Sequence, residues 1–266
     1  EEIFRQEGWN YHLEQKEGPL KYNGVVYNEM KGAFSSPDEV LEREIMNHLF
    51  PDTTYGCESG GDPKNIPDLT YENFLNFHRT YYHPSNSYIY LYGNMDMEEK
   101  LAFLDEHYLS HFDYLDVDSV IQEQKAFGAC RDVTLEYPVA ENEGEEDNTY
   151  LSYNMVVGNA ADSQMAMAFE VLDYALLSAP GAPLKQALLD VKAGKDVYGS
   201  YDDGILQPYF TVIAKGSNPD RKEEFVSVIR QVLGDIVKNG IDKKAVEAGI
   251  NYFEFRYREA DFSSYP

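Results

Sequence analysis

The sequence predicts an α+β fold in two consecutive domains. Three observations carry this reading. Segments of helical apolar spacing alternate with short runs rich in β-formers, and the second part runs ββααββαα in outline. A polar, acidic stretch separates that part from a first one ending ααβα.

The elements follow in order. Apolar positions at Val25, Val26, Met30, Ala33 and Phe34 have helical spacing and predict a helix over 22–34. Ser36, Pro37 and Glu39 fit an N-cap, a first helical position and a capping box. They open a second helix with Val40, Leu41, Ile45, Met46, Leu49 and Phe50 inward, and Pro51 stops it. Residues 55–67 read as loop around Ser59-Gly60-Gly61-Asp62-Pro63. Thr70 caps a helix through Phe74, Phe77 and Tyr81, which His83-Pro84-Ser85-Asn86 ends. The run Ser87-Tyr88-Ile89-Tyr90-Leu91-Tyr92-Gly93 predicts a strand, and Asp96 opens a helix to about Phe112.

Residues 113–125 read as the linker, which gives domains 1–125 and 126–266. In the second, strands at 133–139 and 149–157 flank the acidic run Glu141 to Asn148. Helices at 161–178 and 182–193 follow, then strands 196–203 and 207–215 and helices 219–239 and 242–258. From element order alone, the first domain reads as the back half of a domain built like the second. Both ends read as cuts within a longer protein, the second domain being truncated at its C-terminal end.

Composition narrows the function classes. An apolar share of 43% with 14% aromatics is globular. Against 22 Lys+Arg stand 47 Asp+Glu, a net charge of −25, which repels phosphate backbones and speaks against nucleic-acid binding. The same charge serves either solubility or attraction of basic peptides. No apolar run of about 18 residues is present, so no membrane span is expected. Cys57 and Cys130 lie far apart outside any CxxC pattern, which fits a reducing cytoplasm.

Few residues point to chemistry by themselves. His107 and His111 stand at i and i+4, a chelating spacing, yet no acid lies between them and helix-end histidines also favour the helix dipole. His78 and His83 read as helix-end packing, and the glycine pair Gly60-Gly61 as a turn. Glu29 shares a helix face with Val26 and Ala33, so an inward carboxylate is expected there. Such a residue reads first as a salt-bridge or cap partner.

The segment Gly24-Val25-Val26-Tyr27-Asn28-Glu29-Met30-Lys31-Gly32-Ala33-Phe34 resembles presequence-protease-like peptidases of the pitrilysin superfamily. The likeness continues upstream in Gln6-Glu7-Gly8-Trp9. Downstream it includes Thr54-Tyr55-Gly56, Ser59 to Pro63, Ile66 to Thr70, Phe77-His78, Tyr81 to Asn86 and Tyr92-Gly93-Asn94. Residues 130–266 resemble the family's next domain through weaker motifs, Arg256 to Pro266 among them.

The resemblance implies pitrilysin-type domains, an antiparallel-rich sheet packed by helices, and a zinc endopeptidase acting on short unstructured peptides. Family members hold Zn2+ through two histidines of an inverted His-x-x-Glu-His motif and a glutamate on a later helix. Glu29 matches that glutamate. This sequence contains no His-x-x-Glu-His, so the resemblance implies one ligand here and no catalytic base. The chain is therefore expected to be inactive and without zinc alone, and to self-associate, its parent cleaving peptides, basic ones included. The alternative is a pitrilysin-type subunit without catalysis, a scaffold or peptide-binding partner; retention of Glu29 favours the active parent.

Overall fold

The computed structural model describes residues 1–140 and 144–259. Its principal elements are β1 (Asn10–His12), β2 (Lys21–Asn23), α1 (Val25–Ala33), α2 (Pro37–Leu49), α3 (Tyr71–Tyr81), α4 (Met97–His107), β3 (Thr149–Val156), α5 (Ser163–Asp173), α6 (Pro183–Asp190), β4 (Asp196–Asp202), β5 (Tyr209–Ser217), α7 (Lys222–Asn239) and α8 (Lys243–Glu259). They form two compact units, 1–36 with 57–122, and 37–56 with 123–266. Residues 37–56, placed by sequence in the first part, thus pack within the second unit. Among the described residues no helix is long and apolar enough to cross a membrane.

In the first unit β1 and β2 form an antiparallel hairpin with Tyr11 opposite Tyr22. α3 begins as its sequence directs. The Thr70 hydroxyl accepts from the Asn73 amide at 3.1 Å, and Asn73 returns the bond to the Thr70 amide at 3.0 Å. Asp96 caps α4 by accepting from the Glu99 amide at 3.1 Å. Tyr88, Ile89, Tyr90, Leu91 and Tyr92 lie in no strand, contrary to the sequence expectation. Their composition suits a strand, but a strand exists only where another supplies ladder hydrogen bonds. The expected strand at 133–139 is missing for the same reason.

The second unit is built on one antiparallel sheet, order β3-β5-β4. Side-chain alternation divides its two faces. Leu151, Val197, Phe210, Val212 and Ala214 form one core with Leu184 and Leu188 of α6 and Phe225 and Ile229 of α7. On the other face Tyr209 packs with Ile45 and Phe50, so α2 covers it. Central β5 is consequently buried for most of its length. Gln124 fastens the preceding segment: its amide group reaches Asp52 Oδ2 at 2.7 Å and its Oε1 accepts from the Asp52 amide at 2.9 Å. Residues 141–143 of the acidic run and the tail after Glu259 lie outside the described residues.

Candidate functional site

Glu29 sits in the middle of α1, and the local sequence explains why that helix is held firmly. Gly24 precedes it with φ +145°, a conformation that disfavours any side chain. A Cβ there would lie 2.3 Å from the Gly8 carbonyl oxygen and 2.7 Å from Trp9 Cα, so glycine lets two backbone segments touch. Trp9 is fixed in turn by its indole N–H, which donates to the Leu69 carbonyl at 2.9 Å. Asn28 ties the first turn back to β2, donating to Asn23 Oδ1 at 2.8 Å. Met30 lies against Gly60, where an added Cβ would stand 2.3 Å from the Met30 sulfur. At the far end the Phe34 amide donates to the Met30 carbonyl at 3.0 Å, and the Ser35 amide to the Gly32 carbonyl at 3.1 Å.

These contacts fix the rotation of α1 and correct the expected inward face. Tyr27, Met30 and Phe34 turn toward the unit, half-buried, while Val26, Glu29 and Ala33 are exposed. Both stripes carry apolar residues, so spacing alone could not choose between them. The Gly60 seat chooses the Met30 stripe. Glu29 therefore presents its carboxylate to solvent, and among the described residues no hydrogen bond or ion pair engages it.

The other singled-out residues do not gather around it. His107 ends α4, and Tyr108 at φ −140°, ψ −66° breaks the helix before His111, so the pair does not share one helix face. The His78 ring stacks on Tyr82 at 4.7 Å, and His83 Nδ1 accepts from the Ser85 amide at 3.2 Å, the packing roles expected of them. Cys57 and Cys130 are exposed free thiols. No group of three His, Cys, Asp or Glu side chains suited to a metal ion is present among the described residues. As donor chemistry, Glu29 suits one oxygen ligand of zinc; the residues here do not complete a set.

Two carboxylates that the sequence did not mark stand out in the second unit. Asp38, in the first turn of α2, takes bonds from all three strands: Lys215 Nζ at 2.8 Å, Tyr198 at 3.2 Å and Tyr150 at 3.3 Å. The Lys215 bond holds its carboxyl below the usual range. Burial, and then the Asp38 charge, push the Tyr198 phenol up to about 12. Asp173 is the opposite case, raised to about 6 by burial with only a long hydrogen bond from Ser178 to offset it. Its Oδ1 has no partner. Neither residue had a local sequence signature, because their partners lie up to 177 positions away in one case and burial decides the other.

Residues 68–253, most of the chain, match the sequence profile described as "Peptidase M16 inactive domain". The chain belongs to the M16 peptidase family. Within this family the chain is presequence-protease-like. It is 38% identical over 267 residues to presequence protease 1 (chloroplastic/mitochondrial) of Arabidopsis thaliana, covering 99% of this chain and 25% of that protein. Identity to the mitochondrial presequence protease of Xenopus laevis is 32% over 268 residues, with 98% and 26% covered. A Clostridium perfringens protein named HypA is 52% identical over 265 residues, with 100% and 27% covered. The chain thus spans about a quarter of the length of these relatives.

Two solved structures share the fold. An M16 inactive-domain protein from Pseudomonas fluorescens gives a TM-score of 0.59 at 17% identity, covering 90% of this chain and 55% of that one. A Helicobacter pylori protease gives 0.56 at 16% identity, covering 90% and 57%. This chain's own fold, helices with antiparallel sheets, is the mixed class the sequence predicted.

Proposed function

We propose that these 266 residues are a segment of a zinc endopeptidase that hydrolyses short unstructured peptides, and that Glu29 supplies one of its metal ligands. The observation that carries the reading is the state of Glu29: an exposed, unengaged carboxylate on a helix clamped from both ends. The carboxylate is thus accessible to a metal and is presented from a rigid support, at the position the sequence resemblance assigns to a ligand. Bound at such a site, zinc would polarise the scissile carbonyl and acidify water. The contribution of this chain is narrower. α1 holds one anionic oxygen donor in place, with little reorganisation when the metal arrives.

The remaining donors and the general base would come from parts of the longer protein beyond this chain, so the 266 residues alone neither hold stoichiometric zinc nor cleave peptides. Substrates are peptides, basic ones included, given the charge of −25. A cytoplasmic setting accords with the two free thiols. The test is peptide cleavage by the longer protein with and without Glu29→Gln. Loss of cleavage on substitution, at unchanged thermal stability, is the expected outcome; undiminished cleavage would overturn the reading.

A second reading has one observation behind it. The matched profile is that of an inactive domain, and Glu29 lies outside the matched residues 68–253. On that reading the longer protein is a peptide-binding or scaffolding subunit, and it would neither cleave peptides nor lose anything with Glu29→Gln.

A further inference from the structure

We propose that the aromatic face of the first hairpin is a binding site for a cationic side chain, arginine foremost, of an extended peptide. Trp9, Tyr11 and Tyr22 form a mutually touching trio. Ring centroids are 5.5 Å apart for Trp9–Tyr11, 5.8 Å for Trp9–Tyr22 and 5.5 Å for Tyr11–Tyr22. The indole plane stands at 84° and 79° to the two phenol rings. Tyr27 of α1 joins the edge, 5.8 Å from Tyr22.

Three features make this more than hairpin packing. First, the rings are not used up by one another: Tyr11 is 61% and Tyr22 46% exposed. Second, the arrangement is fixed beforehand. Tyr11 and Tyr22 face each other in register across the strands, and the Trp9 indole is locked to Leu69. A ligand therefore meets π faces whose ordering is already complete. Third, an exposed carboxylate without an ion-pair partner among the described residues is carried by the segment that holds the indole: Asp68 directly precedes Leu69, whose carbonyl accepts from Trp9. The neighbouring Lys21 is already committed to Glu14 at 3.0 Å. No described lysine or arginine covers the trio.

Electron-rich ring faces next to an unpaired carboxylate complement a cation and repel an anion. The planar guanidinium suits them best, since it stacks on the rings while its N–H groups reach the carboxylate. That the ligand belongs to a peptide rests on the peptidase reading above. Cation binding itself does not, because it needs neither zinc nor any residue outside this chain.

The test uses the 266-residue chain and its single tryptophan, Trp9, as reporter. Fluorescence is titrated with acetyl-Gly-Arg-Gly-Arg-Gly-amide and with the same peptide carrying citrulline, the neutral isostere of arginine. The expected result is a saturable change with the arginine peptide, weakened by salt, and a much smaller response to citrulline. Tyr22→Leu and Asp68→Asn should each weaken binding about two- to five-fold. Asp68 is exposed, so its variant decides the matter should the tyrosine variant fail to fold. An equal response to citrulline, or unchanged binding in Asp68→Asn, would overturn the proposal. Neither result would bear on zinc binding by the longer protein, so the two readings fail separately.

Discussion

The Asp38 carboxylate and the Lys215 ammonium meet at 2.8 Å, joining the first turn of α2 to the central strand of the second unit. Both side chains are half-exposed, so screening keeps the pair itself modest. Tyr150 and Tyr198 add to it, so that α2 is anchored at its start by polar bonds, along its length by Ile45 and just past its end by Phe50. We expect a double-mutant cycle of Asp38→Asn and Lys215→Met to show a coupling of about 0.5–1 kcal/mol by urea unfolding. The Asp38 carboxyl is depressed on folding. Its contribution is therefore present above the unfolded value of 3.8 and lost as pH falls through the lower folded value.

Asp173 behaves with the opposite sign. Its carboxyl is raised on folding, from 3.8 to about 6, so ionisation opposes the folded state. The penalty is absent below the unfolded value, sets in between about pH 4 and 6, and is complete above that window. Replacing Asp173 by Asn should stabilise the chain at pH 8 by on the order of 1 kcal/mol, discounted for partial exposure. Thermal melts at pH 4 and pH 8 check it, and the gain should vanish at the lower pH.

The Met30–Gly60 contact gives a packing prediction. Gly60→Ala should cost less than about 1 kcal/mol, because the atoms its Cβ would meet belong to the flexible end of the Met30 side chain, which can turn aside. Adding Met30→Ala should return part of that loss, since the smaller side chain frees the space. Additive losses in the two single variants would show that the seat is not what orients α1.

How much of this was legible in the sequence depends on where the deciding partner lies. The Thr70 and Asp96 caps were, because capping partners sit three residues away. The helices and the β4 and β5 strands followed from apolar spacing and from runs of β-formers. The face of α1 was not, since two apolar stripes compete and the choice rests with Gly60, thirty residues on. Residues 87–92 have strand composition, but composition says nothing about whether a neighbour supplies the ladder. Asp38 was invisible for the same reason as the α1 face: its three partners come from β3, β4 and β5.

An exposed residue with no partner has little to lose in stability. Glu29→Gln should leave the unfolding free energy of the 266-residue chain within about 0.5 kcal/mol of the unsubstituted value. Calorimetry on the chain alone checks this, and a larger loss would mean that the carboxylate serves the fold.

The central claim is that Glu29 is a metal ligand, and zinc content tests it most directly. Purified longer protein, with Glu29 and with Glu29→Gln, would be dialysed against the same trace zinc and measured by mass spectrometry of the metal. The account predicts about one zinc per molecule in the first and most of it lost in the second. Equal zinc in both would contradict it.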